Sequence, residues 1–310
     1  MTDPMTDPTT GVPSPARPPG GTADLAGRPV ARLGYGVMQL AERPGRAAVD
    51  RDAAIALLRR AVDAGVEHVD TAQFYGDGTA NALLRDAVAP YGDHLRLVSK
   101  VGAVAGPDGL LLAQRPEQLR AQVEANLRTL RADRLDVVNL RRADAPPGLV
   151  AEGDQVVDLD DQLAELVALR DEGALGAIGL SNVSVGQLRR ALPVGVACVQ
   201  NAYHLLDRSA EPVLACCVEH GVAWVPFFPL GSGFPGTRRV TDDPAVRRAA
   251  DAHGATPAQI GLAWLLAHDP GTLLIPGTAS AAHLAENLAA GNVVLDPGTQ
   301  AALDALAPPA

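Results

Sequence analysis

Eight short apolar runs rich in Val, Ile and Leu, separated by longer amphipathic segments, predict an α/β fold of the (β/α)8 TIM barrel type. The alternative, a doubly wound open sheet, normally carries a glycine-rich phosphate loop after its first strand. Here the first run leads into GYGVMQL, residues 34–40, which is not GxGxxG. A chain of 310 residues with 47% hydrophobic side chains also suits one core of barrel size.

The expected strands are residues 32–36, 66–70, 96–100, 136–140, 178–181, 196–201, 223–227 and 272–275. Helices are expected over 51–64, 79–89, 116–131, 160–172, 184–191, 209–220, 257–268 and 281–290. Asp50 is placed to cap the first of these and Gly65 to follow its end, while Thr256 and Pro257 open the seventh. The intervals 141–159 and 228–242 are too long for simple turns, and in a barrel such βα loops surround the active site. Residues 1–27 repeat MTDP and continue through GVPSPARPPGG, a composition too poor in apolar surface to order itself. The expected organisation is therefore a disordered leader, 1–27, and a single barrel domain, 28–310.

The formal charge of -10, without a basic block, argues against nucleic acid and anionic membrane as partners, although an anionic cofactor can bind locally. No apolar run approaches a membrane span and no signal peptide is visible, so a cytoplasmic location is expected. Cys198, Cys216 and Cys217 form neither a CxxC motif nor an even disulfide framework, which fits a reducing compartment with the thiols packed as small hydrophobes, a redox or metal role being the lesser alternative.

In a barrel the C-terminal strand ends open into one bowl. Asp70, Lys100, Arg141, Ser181, Asn182, Gln200 and Asn201 fall at those ends, with Tyr75 five residues beyond Asp70. Lys100 is the single lysine among 26 basic residues, and lysine is a compact point charge where guanidinium is a broad fork. A free phenol has a pKa near ~10, and a neighbouring ammonium stabilises its phenolate. Asp70, Lys100 and Tyr75 together therefore suggest proton transfer by a phenol; each alone at a strand end is usually a capping or ion-pair residue.

The ordered motifs HVDTAQFYG, LVSKVG, LDVVNLR, IGLSN, VQNAYH, VPFFPLGSG and LLIPGTASAAHLAEN resemble the aldo-keto reductase superfamily over residues 30–305, and within it bacterial pyridoxal reductase-type members. The resemblance implies hydride transfer between a nicotinamide cofactor and an aldehyde or ketone, with NADP expected and NAD the alternative. It assigns catalytic roles to Asp70, Tyr75 and Lys100, and places Arg141 where the family usually has histidine. It implies that Ser181, Asn182 and Gln200 bind the nicotinamide amide and that Phe227 stacks on the ring. Pro229, Leu230, Gly231 and Ser232 would cover the pyrophosphate. Gly277, Thr278, Ser280, His283, Glu286 and Asn287 would hold the adenosine end, although Gly277 and His283 stand where Lys and Arg often hold a 2'-phosphate; Arg238 or Arg239 could reach over instead. Met38 and Phe74 are expected to line the substrate pocket, and His204 is a second candidate for the missing imidazole. Two other functions fit some of these residues: a cofactor-binding regulatory protein with weak turnover, because the histidine is replaced by Arg141, and a lyase using Lys100 as a Schiff-base amine.

Overall fold

The computed structural model describes residues 18–42, 47–146, 148–231 and 238–307. The chain enters through an antiparallel hairpin, β1 (Thr22–Leu25) and β2 (Arg28–Ala31). Then follow β3 (Tyr35–Gly36), α1 (Arg51–Asp63), β4 (His68–Asp70), α2 (Thr79–Val88) and β5 (Arg96–Val101). A second hairpin, β6 (Ala103–Gly106) and β7 (Gly109–Leu112), precedes α3 (Pro116–Leu130), β8 (Leu135–Arg141), α4 (Leu159–Asp171), β9 (Leu175–Ser181) and α5 (Val185–Ala191). The remainder comprises β10 (Val196–Gln200), α6 (Glu211–His220), β11 (Ala223–Trp224), α7 (Pro244–His253), α8 (Pro257–His268), α9 (Ala281–Ala289) and α10 (Pro297–Asp304). Among the described residues no helix is long and apolar enough to cross a membrane.

The strands β3, β4, β5, β8, β9, β10 and β11 lie parallel in that spatial order. Residues 272–275 close the circle through single bridges, Leu33 to Leu274 and Trp224 to Thr272. The backbone N–H of Gly34 donates to Leu274 O and that of Leu274 to Arg32 O, each at 2.8 Å. The result is the predicted (β/α)8 barrel. The expected eighth strand contributes bridges in place of a regular ladder, and the expected strands 32–36 and 223–227 shorten in the same way where the barrel twists.

Two apolar layers hold the barrel. Outward-facing Val69, Leu97, Val138, Leu140, Ile178 and Leu180 pack under the helices, whereas Val98, Val137, Cys198, Val225, Leu273 and Ile275 fill the interior. The period-2 alternation of each strand sorts the two sets. Capping explains several helix starts: Asp50 Oδ1 accepts from Ala53 N at 3.0 Å, and Thr256 and Gln259 form a reciprocal capping box.

Three features depart from the sequence expectations. Residues 22–25, assigned to the leader on composition, form β1, and Leu25 and Val30 are buried in the interior cluster as a plug at the bottom of the barrel. Burying such side chains stabilises by roughly 1.5–3 kcal/mol each, enough to order a short hairpin beside a rigid sheet. Residues 1–17 of the expected leader lie outside the described residues. Second, the hairpin β6–β7 is an addition that no periodicity announced. Third, α7 and α10, both opening on Asp-Pro with the aspartate as cap, are helices that lie outside the sequence expectation; each is short, and α7 buries only Val246, Ala249 and Ala250 and α10 only Leu303.

Candidate active site

Adjacent parallel strands place Asp70 and Lys100 side by side at the C-terminal mouth, since Asp70 registers with Val98 and Lys100 lies two residues further on the same face. Both are buried, and the Lys100 ammonium donates to Asp70 Oδ1 and, at 3.1 Å, to the carbonyl of Thr71. The second oxygen, Asp70 Oδ2, accepts from Gln200 Nε2 at 2.8 Å across the barrel. Burial disfavours the charged ammonium, yet the facing Asp70 carboxylate outweighs it and, with Tyr75, holds the Lys100 pKa above its ordinary value. Tyr75 sits on the turn after β4, half-buried, its ring centre 5.1 Å from Lys100 Nζ. Phe74 braces that ring edge-on at 5.2 Å and packs with Ala72 and Ala103. Met38 is half-buried in the turn directly after β3.

Arg141 ends β8, and its guanidinium carbon lies 5.8 Å from the centre of the Phe227 ring. Burial lowers the Arg141 pKa, against the pull of Tyr75. In the loop beyond it, Asp144 accepts from Arg142 Nε at 2.7 Å and Nη2 at 2.6 Å, and from Gln187 Nε2 at 2.7 Å. His204 is buried just after β10. Its Nδ1 accepts from Leu206 N at 3.1 Å, a local turn contact, and burial lowers its pKa.

Ser181 and Gln200 are register partners on β9 and β10, both fully buried. Ser181 Oγ and Gln200 Oε1 have no hydrogen-bond partner among the described residues. Two orphaned polar groups opposite one another, beside the Asp70–Lys100 pair, fit an amide that both donates and accepts, which is what a nicotinamide carboxamide presents. Asn182 fits less well, because its Nδ2 already donates to the carbonyls of Arg142 at 3.2 Å and Ala145 at 2.7 Å, leaving only Oδ1. Phe227 is half-buried and edge-on to Phe228 at 5.1 Å. Beyond it, Pro229 bridges to Gly231 and Val240 N donates to Leu230 O at 3.1 Å, so the loop is pinned at its base; Ser232 lies outside the described residues.

At the other side of the mouth, Gly277 is exposed and approaches Gly36 so closely that a Cβ would lie 2.6 Å from the Gly36 carbonyl oxygen. Tyr35 OH donates to Thr278 O at 2.5 Å, Ser280 N donates to Thr278 Oγ1 at 3.1 Å, and Ser280 Oγ caps α9 by accepting from His283 N. His283 is exposed on the first turn of α9, Glu286 is half-buried and Asn287 is buried, so the helix presents its N-terminus beside these side chains. Arg238 reaches Asp243 on its own loop at 3.4 Å, and Arg239 is exposed.

The sequence reading missed a buried amide network behind the bowl. Asn81 Nδ2 donates to Gln73 Oε1 and Asn126 Oδ1, both at 2.9 Å, and Thr71 Oγ1 donates to Asn81 Oδ1 at 2.6 Å. Gln122 Oε1 accepts from Gly102 N at 2.8 Å, and Gln114 Nε2 donates to the carbonyls of Gly102 at 2.6 Å and Arg141 at 2.9 Å. This network ties the loops after β4, β5 and β8 to α2 and α3. Its signal was available: Gln122 and Asn126, four apart, interrupt the apolar stripe Leu119, Val123, Leu130.

A closed eight-stranded barrel with this mouth defines the class: the chain belongs to the aldo/keto reductase family, whose model matches residues 32–308. It is an oxidoreductase. It is 41% identical over 289 residues to pyridoxine 4-dehydrogenase of Escherichia coli (strain K12), covering 92% of this chain and 98% of that one. Among solved structures, an aldo-keto reductase from Klebsiella pneumoniae in complex with NADPH superposes with a TM-score of 0.77 at 30% identity, over 93% of this chain and 95% of that one. A second Klebsiella pneumoniae structure, in complex with NADP and acetate, gives 0.75 at 29% identity over 93% and 96%.

Proposed function

We propose that the protein reduces an aldehyde, with pyridoxal as the specific substrate, by hydride transfer from NADPH, and catalyses the reverse oxidation with NADP. The observation that carries this reading is the convergence of Asp70, Lys100 and Tyr75 at one strand-end cluster. Bound against Ser181, Gln200 and Phe227, the reduced nicotinamide supplies the hydride that the carbonyl carbon accepts. Tyr75 donates its phenolic proton to the carbonyl oxygen as negative charge develops there, and the Lys100 ammonium stabilises the phenolate left behind. Asp70 keeps that ammonium charged and aimed. The same pairing argues against a Schiff-base lyase, which needs a neutral amine, whereas the Lys100 pKa is raised.

Arg141 gives the site a fixed positive charge where histidine would give one directional donor. Pyridoxal suits this exchange because its ring hydroxyl, ortho to the aldehyde, ionises readily and presents an anion next to the reacting carbonyl. Cofactor choice rests on the α9 N-terminus with Thr278 and Ser280; NADP is preferred on kinship, with NAD the alternative because Gly277 and His283 bring no permanent cation. The test is a fluorescence titration with NADPH and NADH, followed by an aldehyde screen that includes pyridoxal. Binding of NADPH with pyridoxal-dependent loss of its absorbance is expected; absence of binding by either nucleotide would overturn the proposal.

A further inference from the structure

We infer that the closed end of the barrel carries a binding site for a phosphate group, presented by inorganic phosphate or by a small phosphate monoester. A cavity of about 240 Å³ lies there, at the N-terminal ends of the strands and on the opposite side from Asp70, Lys100 and Tyr75. The hairpin turn at Leu25 roofs it, and Arg28, Arg96, Arg134 and Asp136 line it. Lys100 lies four positions after Arg96 on β5, roughly 13 Å of strand, so the two sites are distinct.

Charge is unbalanced in this cavity. Three guanidinium groups face one carboxylate, and that carboxylate is already committed: Asp136 Oδ1 accepts from Arg96 Nη1 at 2.6 Å, and Oδ2 from Leu97 N at 2.8 Å. Arg28 Nη1 and Arg96 Nη2 donate only to a backbone carbonyl, Asp93 O, at 3.2 and 2.8 Å. Arg96 Nε is buried with no acceptor among the described residues. Arg134 has no carboxylate within ion-pair distance among the described residues and lies directly over Gly176, where a Cβ would stand 2.4 Å from its Nη2; the absence of a side chain at 176 makes the space for that guanidinium. In a chain of net charge -10, two guanidiniums without a carboxylate partner among the described residues share the lining of one cavity.

A phosphate matches this arrangement because its charge offsets the two unmatched arginines and its oxygens accept the fork of donors that guanidinium presents. The volume falls below the ~300 Å³ at which drug-sized ligand sites begin, which selects a small phosphate carrier over a polymer. Bound there, it would tie the β1–β2 plug to the strand starts.

Isothermal titration calorimetry on the full chain, with inorganic phosphate and separately with phenyl phosphate at ionic strength held constant by sodium chloride, tests the assignment. One saturable site per chain is expected for at least one of them. Tighter binding of phenyl phosphate identifies a monoester as the ligand, and equal or tighter binding of inorganic phosphate identifies the ion. Arg28 and Arg134 are both exposed, so Arg28→Gln/Arg134→Gln leaves the core intact; it should raise the dissociation constant at least tenfold without altering turnover, and Arg134→Gln alone should give part of that loss. No saturable heat with either ligand, or an unchanged dissociation constant in the double variant, would overturn the site.

Discussion

The Lys100 ammonium and the Tyr75 ring stand 5.1 Å apart, the cation paired on its far side with Asp70 inside the barrel mouth. Both partners of the ion pair are buried, and a guanidinium is a broader cation than an ammonium. Lys100→Arg should therefore lose turnover almost as fully as Lys100→Met, about 10²–10⁴-fold. Steady-state kinetics at saturating cofactor checks this; an arginine variant with wild-type turnover would remove the steric argument.

The pH behaviour of the pair follows from the direction of its shift. A lysine whose folded pKa is raised stabilises the fold below its unfolded value and loses that contribution as pH rises through the folded one. The ordinary lysine value is 10.5, so the difference in melting temperature between wild type and Lys100→Met should stay constant from pH 6 to 9 and shrink only above 10.5. Thermal unfolding across this range is the measurement, and a difference that vanishes near neutrality would contradict it.

Arg141 has no titration near neutrality, so the wild-type kcat/KM should lack the limb that an active-site imidazole produces. Arg141→His should introduce one between pH 6 and 7, near the usual histidine pKa of ~6.5, and should weaken pyridoxal more than an uncharged aldehyde. Identical pH profiles for the two proteins would deny Arg141 an electrostatic part.

His68 lies two residues before Asp70 on β4, fully buried against the barrel interior. Burial pushes its pKa down from 6.5 to about 4, against the pull of the Leu274 and Ala31 backbone. The unfolded chain then takes a proton that the native one refuses, so stability falls as pH drops from 6.5 towards 4, by on the order of 3 kcal/mol. His68→Leu should lose that acid sensitivity. Gly34 makes room for the ring, since a Cβ there would lie 2.3 Å from His68 Nε2; Gly34→Ala should cost about 1–3 kcal/mol, and much of it should return in Gly34→Ala/His68→Ala.

Much of this was legible in the sequence because strand alternation and helix caps are local signals. Asp70, Lys100 and Gln200 fall at strand ends that periodicity locates within a residue or two, and the structure brings all three together. What escaped had nonlocal causes. The strand Thr22–Leu25 is ordered by a barrel interior distant in sequence, so its Pro- and Gly-rich surroundings read as leader. The contact of the Asn182 amide nitrogen with Ala145 O, a partner 37 residues away, is likewise invisible in its motif. The unmatched arginines at the closed end become visible only when strands far apart in the chain share one cavity.

The most direct test of the catalytic account is single-turnover reduction of pyridoxal by NADPH-loaded enzyme, comparing wild type with Tyr75→Phe. The phenylalanine variant should bind NADPH with unchanged affinity and transfer hydride about 10²–10⁴-fold more slowly. Hydride transfer at the wild-type rate would show that the proton comes from elsewhere and would contradict the role given to Tyr75.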